Sequence, residues 1–439
     1  MVRRGHVICL LGIAVVVTAC GSSVPSLAQE PASVSTGLFT FFSLPKTVSD
    51  PDKIEMGPDG ALWLTQKIGH PGRLGRITTA GAASTVTVPA DSEPTGVTIG
   101  PDGALWYSAL ASRGVGFGRV GRVGDGSVSE VPLTAAGEAV RREPDANGFV
   151  DSIATGSDGA LWFTALDRVG RLVPEGEMTL FPVARAEELA PIIAGPDGAL
   201  WTTDVVPAIW RITTSGSIRR FDLPTQFGAS DLAFAGDGGL WFTSQGSPLV
   251  GRRDPSGRIT TFRIAPGDSG EAESIAAGPD GAMWFTTSLA VNRITRHGEI
   301  TVLEIPDAGR EGRFPSGIAT APDGMIWFAL RAGNRGEVGR IDAAARRRLL
   351  VASLADRRFT GRRGHVLRIP YQATRRANGV LRLWRGRHSA ARRPIHAKRG
   401  SAAAAVLRLP RRPGIYRLEL RLEIPGQSAS DNASLTVEP

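Results

Sequence analysis

The sequence predicts an all-β chain: a seven-bladed β-propeller followed by a small immunoglobulin-like β-sandwich. Three observations predict it. First, Gly57-Pro58-Asp59-Gly60-Ala61-Leu62-Trp63 recurs at 100–106, 195–201 and 278–284, and looser copies end at Trp162, Trp241 and Trp327. The usual spacing is about 40 residues, a period of propellers and repeat arrays. Second, each repeat reads as four short strands, which is a propeller blade; solenoid repeats rarely carry four. Third, no fourth strand follows Ile341, whereas Gly37, Phe39, Phe42, Leu44 and Pro45 carry the fourth-strand pattern at the other end of the chain. The N-terminal strand would then complete the seventh blade and remove the exposed edges of an open array.

Composition agrees. The 439 residues include 54 Gly and 30 Pro, which suits short strands joined by tight turns. The net charge of +9 hides an asymmetry. Residues 341–439 hold about 22 Lys and Arg against about 6 Asp and Glu, and residues 1–340 about 29 against 36. The chain is an acidic body with a basic tail, so its overall charge does not argue for nucleic-acid binding. Gly116 to Gly121 matches Gly-x-Gly-x-x-Gly, but without the strand and helix that a nucleotide site needs.

From the N-terminus, Arg3 and Arg4 precede an apolar run from Val7 to Ala19, too short for a spanning helix. It reads as a signal peptide. Val17-Thr18-Ala19-Cys20 resembles a bacterial lipobox, which makes Cys20 a lipidation site, residues 1–20 the signal and the protein a surface lipoprotein held to the membrane by a lipid anchor. Cleavage after Ala28, giving a secreted protein, is the alternative. Residues 21–35 suit a flexible tether. Cys9 and Cys20 are the two cysteines, which excludes an internal disulfide in the mature chain.

The propeller spans 36–348. Each repeat opens with an apolar strand such as Gly96 to Ile99, and Pro-Asp-Gly then reverses the chain. The second strand alternates, with Leu and Phe on one face and Trp on the other. A third carries Gly-Arg-Ile or a variant, and a fourth follows a glycine. The Asp of each turn reads as a turn residue and the seven tryptophans as blade packing. One connection is longer by about a dozen residues, fitting Thr134 to Gly148, and is either a lid or a passive insertion. From 359 to 439 the tryptophan repeat is gone, and alternating runs such as Ile415 to Leu420 read as a basic β-sandwich. Its outward arginines suit an anionic wall polymer or lipid headgroups; a charged spacer is the plainer alternative.

The Gly-Pro-Asp-Gly-Ala-Leu-Trp repeat, over about Phe39 to Ile341, resembles the streptogramin B lyase (virginiamycin B lyase) family of propellers. The resemblance implies elimination across the ester of cyclic depsipeptide antibiotics, with Mg²⁺, a histidine that moves a proton and glutamates that hold the metal. This chain departs from that pattern. The histidine register lies two residues before the Ile, Val or Leu of the inner strand: Asp52, Thr95, Asp151, Ala190, Ser230, Glu273 and Ser316. None is His. Glu93-Pro94-Thr95 keeps the outline of Glu-Pro-His without the imidazole, and past the second-strand Trp only Asp204 is acidic.

What remains is a ring of acids expected on the ligand face: Asp50, Asp52, Glu93, Asp151, Asp204, Glu271 and Glu273. Glu93, Asp151, Asp204, Glu271 and Glu273 are candidate ligands for Mg²⁺ or Ca²⁺, since oxygen donors suit hard cations. Asp52, Asp151 and Glu273 are candidate bases. A metal-free acidic rim is the alternative. Two functions follow. One is a surface-held propeller that binds a small molecule or peptide at an acidic mouth. The other is an enzyme, a diverged lyase or a metal-dependent lactonase, with Asp or Glu in place of His.

Overall fold

The computed structural model describes residues 33–36, 38–66, 71–111, 118–124, 126–133, 150–174, 177–224, 227–264, 271–310, 312–343, 349–356, 358–398 and 403–439. The proposed signal and tether, Cys20, Ala28 and the insertion from Thr134 to Gly148 lie outside these residues, apart from the strand Ser33–Thr36. Every regular element described is a β-strand. Six four-stranded antiparallel meanders occupy residues 51–87, 92–132, 153–182, 189–222, 228–263 and 272–304. A seventh combines Phe314–Thr320, Met325–Ala332 and Arg335–Asp342 with Phe39–Ser43 from the start of the chain. The seam is antiparallel, with Phe39 opposite Ile341 and Phe42 opposite Val338, so the expected closing strand forms. First strands of successive meanders adjoin in cyclic order, and the first strand of the seventh meander adjoins Pro51–Met56 of the first.

The turn aspartate holds each meander together. In the first, Asp59 Oδ1 accepts the Ala61 amide at 3.2 Å and the Trp63 indole N–H at 3.0 Å. Its Oδ2 accepts Arg76 Nε at 2.6 Å from the third strand. Asp102, Asp158, Asp197 and Asp280 repeat the arrangement with Trp106 and Arg122, Trp162 and Arg171, Trp201 and Arg211, and Trp284 and Arg293. One carboxylate therefore ties the first hairpin to the third strand. The sequence reading assigned this Asp to the turn and the Trp to packing, and did not connect either to the Arg of Gly-Arg-Ile.

Two meanders depart, and the cause is one methyl group. Trp241 and Trp327 have buried indole nitrogens with no hydrogen-bond partner, although Asp237 and Asp323 still cap their turns. The residue six before tryptophan is Gly57, Gly100, Gly156, Gly195 or Gly278 in the five regular meanders, and Ala235 or Ala321 in these two. A Cβ added at Gly57 would lie 2.2 Å from Trp63 Cδ1 and 2.3 Å from Nε1. The alanine methyl occupies the space that the indole needs to reach Asp. Gly60 has φ +72°, the left-handed position that closes the turn.

Fourth-strand aromatics complete the packing. Phe42, Phe181, Phe221 and Phe262 stack on Trp327, Trp162, Trp201 and Trp241 with ring centroids 5.4–5.6 Å apart. That Phe42 behaves like the others shows why the closing strand seats where it does.

The C-terminal module is continuous with the sixth meander. Gln427–Glu438 pairs antiparallel with Ile300–Glu304, and the sheet runs on through Gly414–Ile424, Ala377–Arg385 and His388–Ala397. A second sheet of Ala352–Leu354, Val366–Ala373 and Ala403–Arg408 faces it across a core that includes Ile369, Leu381, Leu418, Leu420 and Leu435. Polar groups stitch the junction: the Leu350 amide donates to Gln427 Oε1 at 2.8 Å, and the Leu354 amide to the buried Asp431 at 2.6 Å. The last strand of the module is thus also an outer strand of the sixth meander's sheet.

The Asp–Trp–Arg arrangement makes two predictions. Asp280→Ala strands a guanidinium that is 10 % exposed, so it costs about 3–5 kcal/mol in urea unfolding, whereas the same change at the more open Asp59 costs clearly less. Gly57→Ala breaks the indole bond of Trp63 and costs about 1–3 kcal/mol. Ala235→Gly restores one, seen as a downfield shift of the Trp241 indole proton; an unmoved resonance would refute the steric explanation.

Candidate functional site

Six of the seven first strands carry a register break near their start, between Pro51 and Ile54, Pro94 and Gly96, Leu189 and Ile192, Ala229 and Leu232, Ala272 and Ile275, and Pro315 and Ile318. A bulge leaves residues unpaired and re-aims their side chains. The histidine register lies at these breaks, and so does the residue after it.

In the histidine register, three hydroxyls bind the neighbouring strand. Thr95 Oγ1 donates to the Val150 carbonyl at 2.7 Å, Ser230 Oγ to the Ala272 carbonyl at 3.1 Å and Ser316 Oγ to the Pro51 carbonyl at 2.8 Å. The last crosses from the seventh meander to the first. One residue on, Ser152 Oγ accepts the Ile192 amide at 3.3 Å, Asp231 Oδ2 accepts the Ile275 amide at 3.0 Å and the Ser274 hydroxyl at 2.7 Å, and Ser274 Oγ accepts the Ile318 amide at 3.4 Å. These side chains fasten one meander to the next.

Charge collects around Lys53 of the first meander. Lys53, directly after Asp52, lies in the field of Asp231, Asp52, Asp151 and Glu55. Burial alone would depress its pKa; the carboxylates outweigh burial and hold the ammonium above its ordinary value. Burial pushes Glu55 up, Asp231 adds to this and Lys53 opposes it, leaving the carboxyl at about 7. Glu55 keeps an exposed surface although protein crowds around it. Burial likewise raises Asp151; Lys53 works against the rise, and Asp52, Glu188 and Asp231 reinforce it. The site therefore pairs one firmly charged ammonium with carboxyls that hold protons more readily than usual.

The candidate residues divide. Asp52 and Asp151 belong to this group, while Glu271 and Glu273 are exposed at the start of the sixth first strand and Glu93 is partly exposed at the second. Asp204 is fully buried and accepts the amides of Glu187 and Glu188 at 3.1 Å and of Val206 at 3.3 Å. It anchors the loop that carries Glu188. Asp50 pairs with Arg331 at 3.3 Å. Among the described residues, no three His, Cys, Asp or Glu side chains form a group that could hold a metal ion, so the five carboxylates expected to bind Mg²⁺ or Ca²⁺ are not gathered for it. Lys53, Glu55, Glu188 and Asp231 were missed. Lys53 and Asp231 had a signal, for each stands at a register break one residue beyond the histidine register.

The sequence model of the virginiamycin B lyase family matches residues 32–149 and 141–356. A virginiamycin B lyase of Nocardia farcinica (strain IFM 10152) is 33 % identical over 168 residues, 38 % of this chain. The matched segment spans 58 % of that relative's length. A streptogramin B lyase structure is 26 % identical with a TM-score of 0.58, covering 70 % of this chain and 99 % of its own. A catalytically inactive virginiamycin B lyase from Staphylococcus aureus, crystallised with quinupristin, gives 26 % and 0.58, covering 69 % of this chain and 99 % of its own. The family match ends at residue 356, so nearly all of the C-terminal module lies beyond it.

The raised Glu55 pKa has a consequence for stability. A carboxyl whose folded pKa lies above its unfolded value favours the fold while protonated, and that contribution is lost as pH rises from about 4.5 to about 7. Glu55→Gln removes this loss, so the melting temperature of the variant relative to the parent rises across that window and is flat above it. Parallel profiles would refute the assignment.

Proposed function

This chain belongs to the virginiamycin B lyase family, and we propose that it is a seven-bladed member that binds a small polar molecule or peptide at an acidic central mouth, without the histidine chemistry of its relatives. Lys53 set among Asp52, Glu55, Asp151 and Asp231 carries the reading. It offers a ligand one strong cationic donor beside several acceptors. Thr95, Ser230 and Ser316 support it from the other side, since they occupy the histidine register and spend their hydroxyls on neighbouring strands. The C-terminal module is read as an immunoglobulin-like sandwich, and Cys20 as the lipidated residue of an exported protein held at the cell surface.

A second reading has a specific observation in its favour. Burial raises Asp151 above the ordinary carboxylate range and Glu55 titrates at about 7, so each is a stronger base than an ordinary carboxylate. A base here would take the proton next to the ester and let the carboxylate leave, which is elimination without a histidine. No step is assigned to Mg²⁺ or Ca²⁺, because the candidate ligands do not converge among the described residues.

One experiment separates the readings. The protein is incubated with a type B streptogramin, with and without Mg²⁺ or Ca²⁺, and the mixture is resolved by chromatography and mass spectrometry. The expected result is unchanged antibiotic, with binding by calorimetry that Lys53→Met weakens about tenfold, the scale of one charge-assisted hydrogen bond. A product of unchanged mass that disappears in Asp151→Asn establishes elimination instead, and a product heavier by one water establishes hydrolysis. Neither product nor binding removes this ligand class.

A further inference from the structure

We propose that the cleft between the fifth meander and the C-terminal module binds an organic phosphate, a phosphate ester of a polyol or sugar. The cleft follows from the strand pairing. Because Gln427–Glu438 pairs with the outer strand of the sixth meander, the outward face of the module sheet stands against the end of the fifth meander's outer strand, at Arg263 and Ile264. Leu381, Leu383, Leu418 and Leu420 turn into the module core, so the alternate residues Trp384, Arg417 and Glu419 share the outward face. Trp384 and Arg417 are directly opposite each other.

The space enclosed is about 620 Å³. Arg263 enters it from the propeller, Arg387 from the hairpin after Trp384, and Arg417 from the sheet. None of these three guanidiniums has an ion-pair partner among the described residues. The carboxylate in the lining, Glu419, is buried and accepts the indole N–H of Trp384. The Arg417 guanidinium lies 5.5 Å from the centre of the Trp384 ring, and that of Arg382 lies 5.9 Å from it.

Positive charge thus converges on a cavity whose one carboxylate is already engaged. Guanidinium forks match the oxygens of phosphate in geometry and charge. The cavity is in the size range of small-molecule sites and larger than a lone phosphate needs, and Ser430 and Trp384 give a hydroxylated carbon skeleton a polar contact and an apolar wall. The excess of basic residues after 340 would draw anions toward this end of the molecule. The site needs both parts of the chain, since Arg263 and Ile264 belong to the family-matched region and the other lining residues do not.

Calorimetry on the purified protein with glycerol 1-phosphate tests it, with inorganic phosphate for comparison. Expected is saturable binding, tighter than inorganic phosphate and weakened by salt, that Arg263→Gln and Arg417→Gln each reduce about fivefold or more, the scale of a lost charged hydrogen bond. Arg310→Gln, at an exposed arginine in the connection between the sixth and seventh meanders, changes nothing. Thermal melts check that each variant is folded. Sedimentation with phosphatidylglycerol vesicles, against phosphatidylcholine, identifies the source: Arg263-dependent retention means a lipid headgroup, and glycerol phosphate binding without retention means a free ester. No binding in either arm, or an equal loss in Arg310→Gln, overturns the proposal.

Discussion

A single carboxylate in each turn carries the architecture. In five of the seven meanders it caps the turn through one backbone amide, fixes the indole through Nε1 and takes the guanidinium of the third strand; Asp237 and Asp323 keep the cap without the indole. Local and tertiary structure are thereby set by the same group. The strength of the arrangement varies around the ring, for the Asp280–Arg293 pair is nearly buried while Asp59 and Arg76 are about one-third exposed. An exposed pair is weakened by solvent screening, whereas the buried pair would be costly to break because one charge would be left dry. The sixth meander, which also carries the C-terminal module, has the most buried version.

The second constraint is closure. Hydroxyl and carboxylate side chains at the bulges hold neighbouring first strands together, and Ser316 does this across the boundary between the last meander and the first. A hydroxyl in the histidine register bonds the next strand's carbonyl, as at Thr95, Ser230 and Ser316, while Asp52 and Asp151 of the same register join the charged group around Lys53. Asp204 illustrates the same distinction. It looked like a ligand because it is acidic and follows a tryptophan strand, yet its oxygens are occupied by three amides of a loop and of its own turn.

The C-terminal module changes what the ring can be joined to. Strand addition at the sixth meander covers an outer edge that would otherwise be open, and it places a basic sheet face beside the propeller wall. A flexible spacer would create no fixed cleft. Continuity of the sheet, with the polar junction at Leu350, Gln427 and Asp431, gives the module a defined position.

Much of this was legible in the residues. The sevenfold spacing, the four strands of each unit and the displaced fourth strand at Gly37 to Pro45 all follow from local patterns, since turn chemistry and alternation act over a few positions. The difference between Gly57 and Ala235 was visible as well, but its effect on an indole was not. Asp52 and Asp151 were found because they occupy a repeating register. Lys53, Asp231 and Glu188 acquire their meaning from groups on other strands, tens of residues or more away in the chain. The sequence by itself determined the elements and the order of their pairing. Only the tertiary structure decided which charges meet, because the repeat fixes strands and turns, while the neighbours of a side chain at the centre depend on how the ring is closed.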